Sequence, residues 1–269
     1  MIAFRNHFTY EFKTGLRNPT SLLMNYLFPL GFYAMMGLVM VKINPGFAAV
    51  LVPAMILVAV MASTLLGQPG PLVEARDAGI FRSFKINGVP AISILSIPML
   101  TTVFHALIAS VIIAVTAEPL FDGAAPQNLA MFALLTLVTA LSFGSIGALI
   151  GVISNGARST VLWSQLIFLP SMLLGGMMMP LDLLPESVRS FSGLLPTTYA
   201  MQAFSGLAFN QTTIFNPVVS ALVLAACGLV SFGLAVYLFN WDSKNSARRG
   251  HPALAILAFV PLIVGILLA

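Results

Sequence analysis

Five ionic side chains fall within twelve residues, Glu74, Arg76, Asp77, Arg82 and Lys85, in a chain where only 7% of residues carry charge. One such side chain at mid-bilayer costs about 2.5–3.5 kcal/mol, so five together cannot share the apolar spans around them. Carboxylates interleaved with guanidinium and ammonium groups on a short helix do recognition chemistry: they grip a surface of complementary charge. Gly70-Pro71 opens the segment, Asn87-Gly88 closes it and Pro90 starts the next element, the order that helix starts and stops take. Leu72, Val73, Ala75, Gly79, Ile80 and Phe81 between those marks give an amphipathic helix over about 72–88, outside the bilayer. It can touch the protein's own cytoplasmic side or a soluble partner. The ordered start and stop favour the partner over a solvated loop.

Other chemistries are poorly supplied. No Gly-x-x-x-x-Gly-Lys-Ser/Thr loop occurs and none of the four lysines follows a glycine, so nucleotide hydrolysis by that route is excluded for this chain. His7, His105 and His251 lie on separate segments, and Cys227 is the lone cysteine, which argues against a zinc site or an intrachain disulfide. Asp and Glu are missing from the middle of every apolar run. An ion-coupled carrier or a membrane-embedded enzyme would need such buried carboxylates or a catalytic cluster. His105 and Gln165 are the polar side chains best placed at membrane depth; they line a pathway or, the favoured reading, hydrogen-bond between helices. Met177, Met178 and Met179 offer either an adaptable surface for apolar cargo or, more simply, packing.

The elements that must hold these residues are membrane spans. Hydrophobic residues make up 59% of the 269, mean hydropathy is +0.99, and uncharged runs long enough to cross recur along the chain. Residues 1–18 have Phe4, Phe8, Phe12 and Leu16 at intervals of four beside Arg5, Lys13 and Arg17, a pattern for a helix in the headgroup plane. That start lacks the apolar core of a cleaved signal peptide. Spans are expected at about 20–42, 47–67, 90–117, 128–153, 159–179 and 215–240. Gly147-x-x-x-Gly151 in the fourth permits close helix contact. Residues 181–207 divide into two short helices, begun at Pro185 and Pro196, that dip into the outer leaflet. Residues 241–251 form a charged connector and 252–269 an added seventh span. With the N-terminus inside, Arg5, Lys13, Arg17, Arg76, Arg82, Lys85, Arg158, Lys244, Arg248 and Arg249 are cytoplasmic, against Lys42 and Arg189 outside. That is a strong positive-inside bias. The scattered basic residues make no nucleic-acid footprint.

Two stretches together resemble the membrane-spanning subunits of type-two ABC exporters. In that family the loop between spans two and three carries an acidic residue, a basic residue, a glycine, a charged position and a closing proline; Glu74, Arg76, Gly79, Arg82 and Pro90 match in order. Gly176, Pro180, Pro185, Pro196, Tyr199 and Ala200 resemble its Gly…Pro…Pro…Pro-x-x-Tyr-Ala pattern. The resemblance covers about residues 1–240 and departs where 252–269 add a span to the usual six. It implies an all-α polytopic permease bundle (residues 19–240) in a bacterial-type inner membrane. It further implies a second permease copy or paralogue and two copies of a separate ATPase that carries the ATP and Mg, with no cofactor on this chain. It implies that Glu74, Arg76, Asp77, Gly79, Phe81 and Arg82 form the coupling helix against that ATPase. Pro180, Pro185, Pro196 and Tyr199 would form an outer gate; His105, Gln165 and Met177 remain the candidates for the pathway. The cargo would be apolar or amphiphilic: a drug, antibiotic, peptide or lipid-like molecule.

Overall fold

Leu51 to Ala62 contains no charged residue and is apolar on every side, so this stretch must be covered all round. The computed structural model, which describes residues 2–242 and 250–268, places it at the axis of a helical bundle with every residue buried. Strands are absent among the described residues. α1 (Ile2–Arg17) is followed at once by Asn18, whose side chain accepts from the Thr20 and Ser21 amides at 2.9 and 3.2 Å. This cap starts the first span, α2 (Pro19–Ile43), and α3 (Pro45–Asp77) runs back through the centre. α4 (Ile80–Ile86) is short, then come α5 (Ala91–Phe121), α6 (Leu129–Ile153) and α7 (Ala157–Leu174). α8 (Glu186–Ser192) and α9 (Pro196–Ala203) are the short pair, α10 (Pro217–Leu238) is the next long helix, and a 3-10 helix (Pro252–Phe259) leads into α11 (Val260–Leu268).

Five helices, α2, α3, α5, α6 and α10, are long and apolar enough to cross a membrane. The expected fifth span ends earlier than 179, because α7 stops at Leu174 before Gly175-Gly176. At 18 residues it reaches about 27 Å, and Arg158, Ser164 and Gln165 make it the most polar of the long helices. The C-terminal stretch, Pro252–Leu268, is a shorter apolar helix. Its first eight residues are wound as 3-10, so at about 2.0 Å per residue the whole covers about 30 Å. It begins beside Leu238 at the end of α10 and finishes against Gly193 and Tyr199 of the short-helix region.

α1 does not rest on lipid alone. Phe8 and Phe12 meet Phe104 edge-on at 6.3 and 5.7 Å, and Phe12 stacks on His105 at 4.5 Å, so the stripe expected in the headgroups docks on α5. Leu16 stays exposed; Phe4 and Arg5 of the same pattern lie outside the described side chains. Gly147 shows why α3 and α6 approach so closely: a Cβ there would sit 2.1 Å from the Thr64 carbonyl oxygen. Thr64 lies in a π-helical turn, Ala62–Gly67, which bulges the backbone of α3 toward α6.

Candidate functional site

The charged segment is not one helix between Gly70 and Asn87. α3 continues without a break to Asp77, the chain turns at Ala78-Gly79, and α4 follows. Gly79 has φ of +76°, a left-handed turn conformation that glycine adopts without strain. At about 1.5 Å per residue α3 is a rod of about 50 Å whose last two turns project past the apolar span. The handle is therefore an extension of the central helix.

Three ties fasten it to the bundle. Arg76, expected at a partner's surface, is instead 5% exposed. It donates from Nη1 to the Val152 carbonyl at 3.3 Å and from Nη2 to the Ser154 carbonyl at 2.7 Å. Those are carbonyls at the end of α6 that have no partner within the helix, where a cation is favoured. Phe81, also expected to face a partner, is buried against Phe239 with ring centroids 5.4 Å apart. With Leu72, Ile94, Leu149 and Leu238 it forms a second apolar core under the handle. Arg82 is exposed and pairs with Asp242 just after α10. The handle thus grips α3 covalently, α6 through Arg76, and α10 through Phe81 and Arg82.

What remains outward is Glu74, Asp77, Ile80, Arg82, Lys85 and Ile86. Ile80 is 46% and Ile86 80% exposed, two apolar side chains among charges, the composition of a protein-binding patch. Sequence reasoning missed the isoleucines. No local signal named them, because which side of this seven-residue helix turns inward is decided by Phe239, far along the chain.

At the opposite end, Pro180 is exposed and leads a 3-10 turn, Leu181–Leu183, held by Arg189 through the carbonyls of Leu181, Asp182 and Leu184. Pro185 precedes α8, and Pro196 opens α9, which is buried along its whole length. Tyr199, 1% exposed, donates to the Leu262 carbonyl at 2.9 Å and packs 5.8 Å from the Phe215 ring. It ties α9 to the C-terminal helix. Tyr199→Phe removes that bond at constant shape, so about 1 kcal/mol of stability and about 2–4 °C of Tm should be lost in a thermal-shift assay on detergent-purified protein.

The three residues offered for a pathway occupy different places. Met177 is fully buried in the main core. His105, 2% exposed, bonds the Tyr26 hydroxyl through Nδ1 at 2.6 Å and carries the Phe12 ring on its face, pinning α1 and α2 to α5. It also borders a groove of about 560 Å³ under α1, shared with Asn25, Gln68 and Phe81. Gln165 is half-buried on α7, and its Oε1 has no hydrogen-bond partner among the described residues. Lys244, Arg248 and Arg249 of the connector lie outside the described residues. Among the described residues no cluster of His, Cys, Asp or Glu could hold a metal ion.

An all-α bundle of long apolar helices carrying an ionic handle at one end defines a multi-pass membrane protein. The chain belongs to the ABC-2 type transporter family, whose sequence model matches residues 3–209. It is 27% identical over 191 residues to a Bacillus subtilis (strain 168) protein named "Putative transport permease YvfS", a match spanning 70% of this chain and 78% of that one. No solved structure matches. The chain is an ABC transporter permease.

Proposed function

We propose that this permease is the membrane half of an ATP-driven exporter of apolar or amphiphilic molecules. Two copies, or this chain and a paralogue, span a bacterial-type inner membrane with the N-terminus and handle in the cytoplasm. A separate ATPase, also in two copies, binds ATP and Mg and docks on Glu74, Asp77, Ile80, Arg82, Lys85 and Ile86. The observation that carries this reading is that a surface suited to a protein partner stands on a segment tied to α3, α6 and α10 at once. Closure of the ATPase pair would move the handle as a rigid body, and the bundle would follow between two packed states.

Arg82 also serves the intramolecular pair with Asp242, so a cleaner test uses Glu74 and Lys85. Glu74→Lys with Lys85→Glu should leave the permease folded, with stability unchanged within about 0.5 kcal/mol. Capture of the ATPase in a tagged co-purification should fall by about tenfold or more, the scale set by opposed charges at an interface. Export should fall with it. Undiminished capture and export by this variant would remove the handle from the coupling role.

A further inference from the structure

Beside the handle, and on the flank of the bundle, two cavities meet. One is a polar chamber of about 150 Å³ walled by Arg76, Asn155, Asn240 and Gly250. The other is an apolar groove of about 650 Å³ between α6, α7, α10 and the C-terminal helix. Ile153, Asn155 and Pro252 border both, so the chamber lies at one end of the groove. The groove runs from His251 to Leu262 along the C-terminal segment, about 20 Å at the rises of 3-10 and α-helix. One leaflet's hydrocarbon is about 15 Å thick, so the groove matches one acyl chain in length. Trp163, Leu166, Ile256 and Phe259 on its rim are exposed and face outward from the bundle.

The chamber supplies the polar half. Arg76 has its two terminal nitrogens on the ends of α6, but Nε has no hydrogen-bond partner among the described residues. The Asp77 carboxylate lies 3.5 Å from that Nε and is 45% exposed, so it offsets the charge without using the donor. A guanidinium with a spare N–H suits a phosphate oxygen.

We propose that the chamber and groove bind one anionic phospholipid from the leaflet on the handle's side, its phosphate toward Arg76 and an acyl chain along the C-terminal helix. This site lies at the side of the bundle, and the proposal does not depend on the exporter reading. A lipid seated there bridges the handle to the last helix, so lipid composition would bear on how firmly the handle is held.

Trp163 provides the probe, since the chain has two tryptophans and Trp241→Phe keeps an aromatic ring beside Phe239. The Trp241→Phe protein is reconstituted in phosphatidylcholine vesicles containing a small, equal fraction of brominated phosphatidylglycerol or brominated phosphatidylcholine. The anionic lipid should quench Trp163 with about fivefold greater apparent affinity, the ratio that one basic side chain gives toward an anionic lipid. Ala253→Phe, which fills the exposed end of the groove without touching Arg76, should abolish that excess and leave the ordinary quenching by bulk lipid. Equal quenching by the two lipids overturns the proposal. So does a Trp163 that neither lipid reaches, which would mean that a second copy of the chain covers the groove.

Discussion

Arg76→Ala should unfold the handle from the bundle and weaken the whole permease, whereas Arg82→Ala, six residues along, should hardly be felt. The contrast follows from burial. The Arg76 side chain is 6% exposed and satisfies the carbonyls of Val152 and Ser154, which have no other described hydrogen-bond partner once it is gone. Each stranded buried carbonyl costs about 1–3 kcal/mol, and the emptied volume beside the second core adds to this. A total of about 2–5 kcal/mol is expected, in the range found when one partner of a buried charged contact is removed. Arg82 has a side chain 58% exposed, and an exposed ion pair of that kind contributes about 0–1 kcal/mol. Thermal unfolding of the two variants in one detergent reads the difference directly. Arg76→Lys should fall between, since an ammonium keeps the charge near the end of α6 but cannot fork to two carbonyls. Equal loss in the Ala variants would mean that Arg76 does not hold α6.

The same two arginines show what could be inferred from the residues alone. Their density of charge placed the segment outside the bilayer, because insertion cost depends on composition and needs no knowledge of packing. Which of them is buried depends on where α6 ends in space, 76 residues further along for the Val152 contact, and no local pattern encodes that. Phe81 and Ile86 fail for a related reason. α4 has seven residues with apolar side chains on more than one side, so its period leaves the inward face undecided until Phe239 arrives to choose it. The long spans were legible because an uncharged run of about 20 residues has one physical solution. The boundaries of α3 were not, because Pro69 and Pro71 sit in the first turn of the α-helical stretch that follows the π-helical turn, where a missing N–H costs little. At the C-terminus composition signalled an apolar crossing, yet its 3-10 winding and its bond from Tyr199 are tertiary facts.

Close helix contact was legible in Gly147-x-x-x-Gly151, but its partner was not, and that partner makes Gly147→Ala the most damaging single methyl group the structure anticipates. The added carbon would stand 2.1 Å from the Thr64 carbonyl oxygen, a backbone atom in the most deeply buried helix, with no side chain able to swing aside. α3 and α6 must separate, and Gln68, which donates to the Gly144 carbonyl at 3.0 Å across the same contact, would lose its bond. Overpacking of this kind costs about 1–3 kcal/mol and more when backbone must move, here with about 1 kcal/mol from the lost hydrogen bond. Gly31→Ala is the control: its Cβ would meet no heavy atom within 4 Å, and within a helix alanine is favoured over glycine by about 1 kcal/mol. The first variant should therefore melt well below the parent in detergent and the second at or slightly above it. The Thr64 carbonyl projects because the backbone there is π-helical, so a second substitution that lets this turn relax to α-helix should restore tolerance of Gly147→Ala. If Gly147→Ala melts with the parent, α3 and α6 are not in the contact described, and the hold of α3 on the fourth span would rest on Arg76 and the second core.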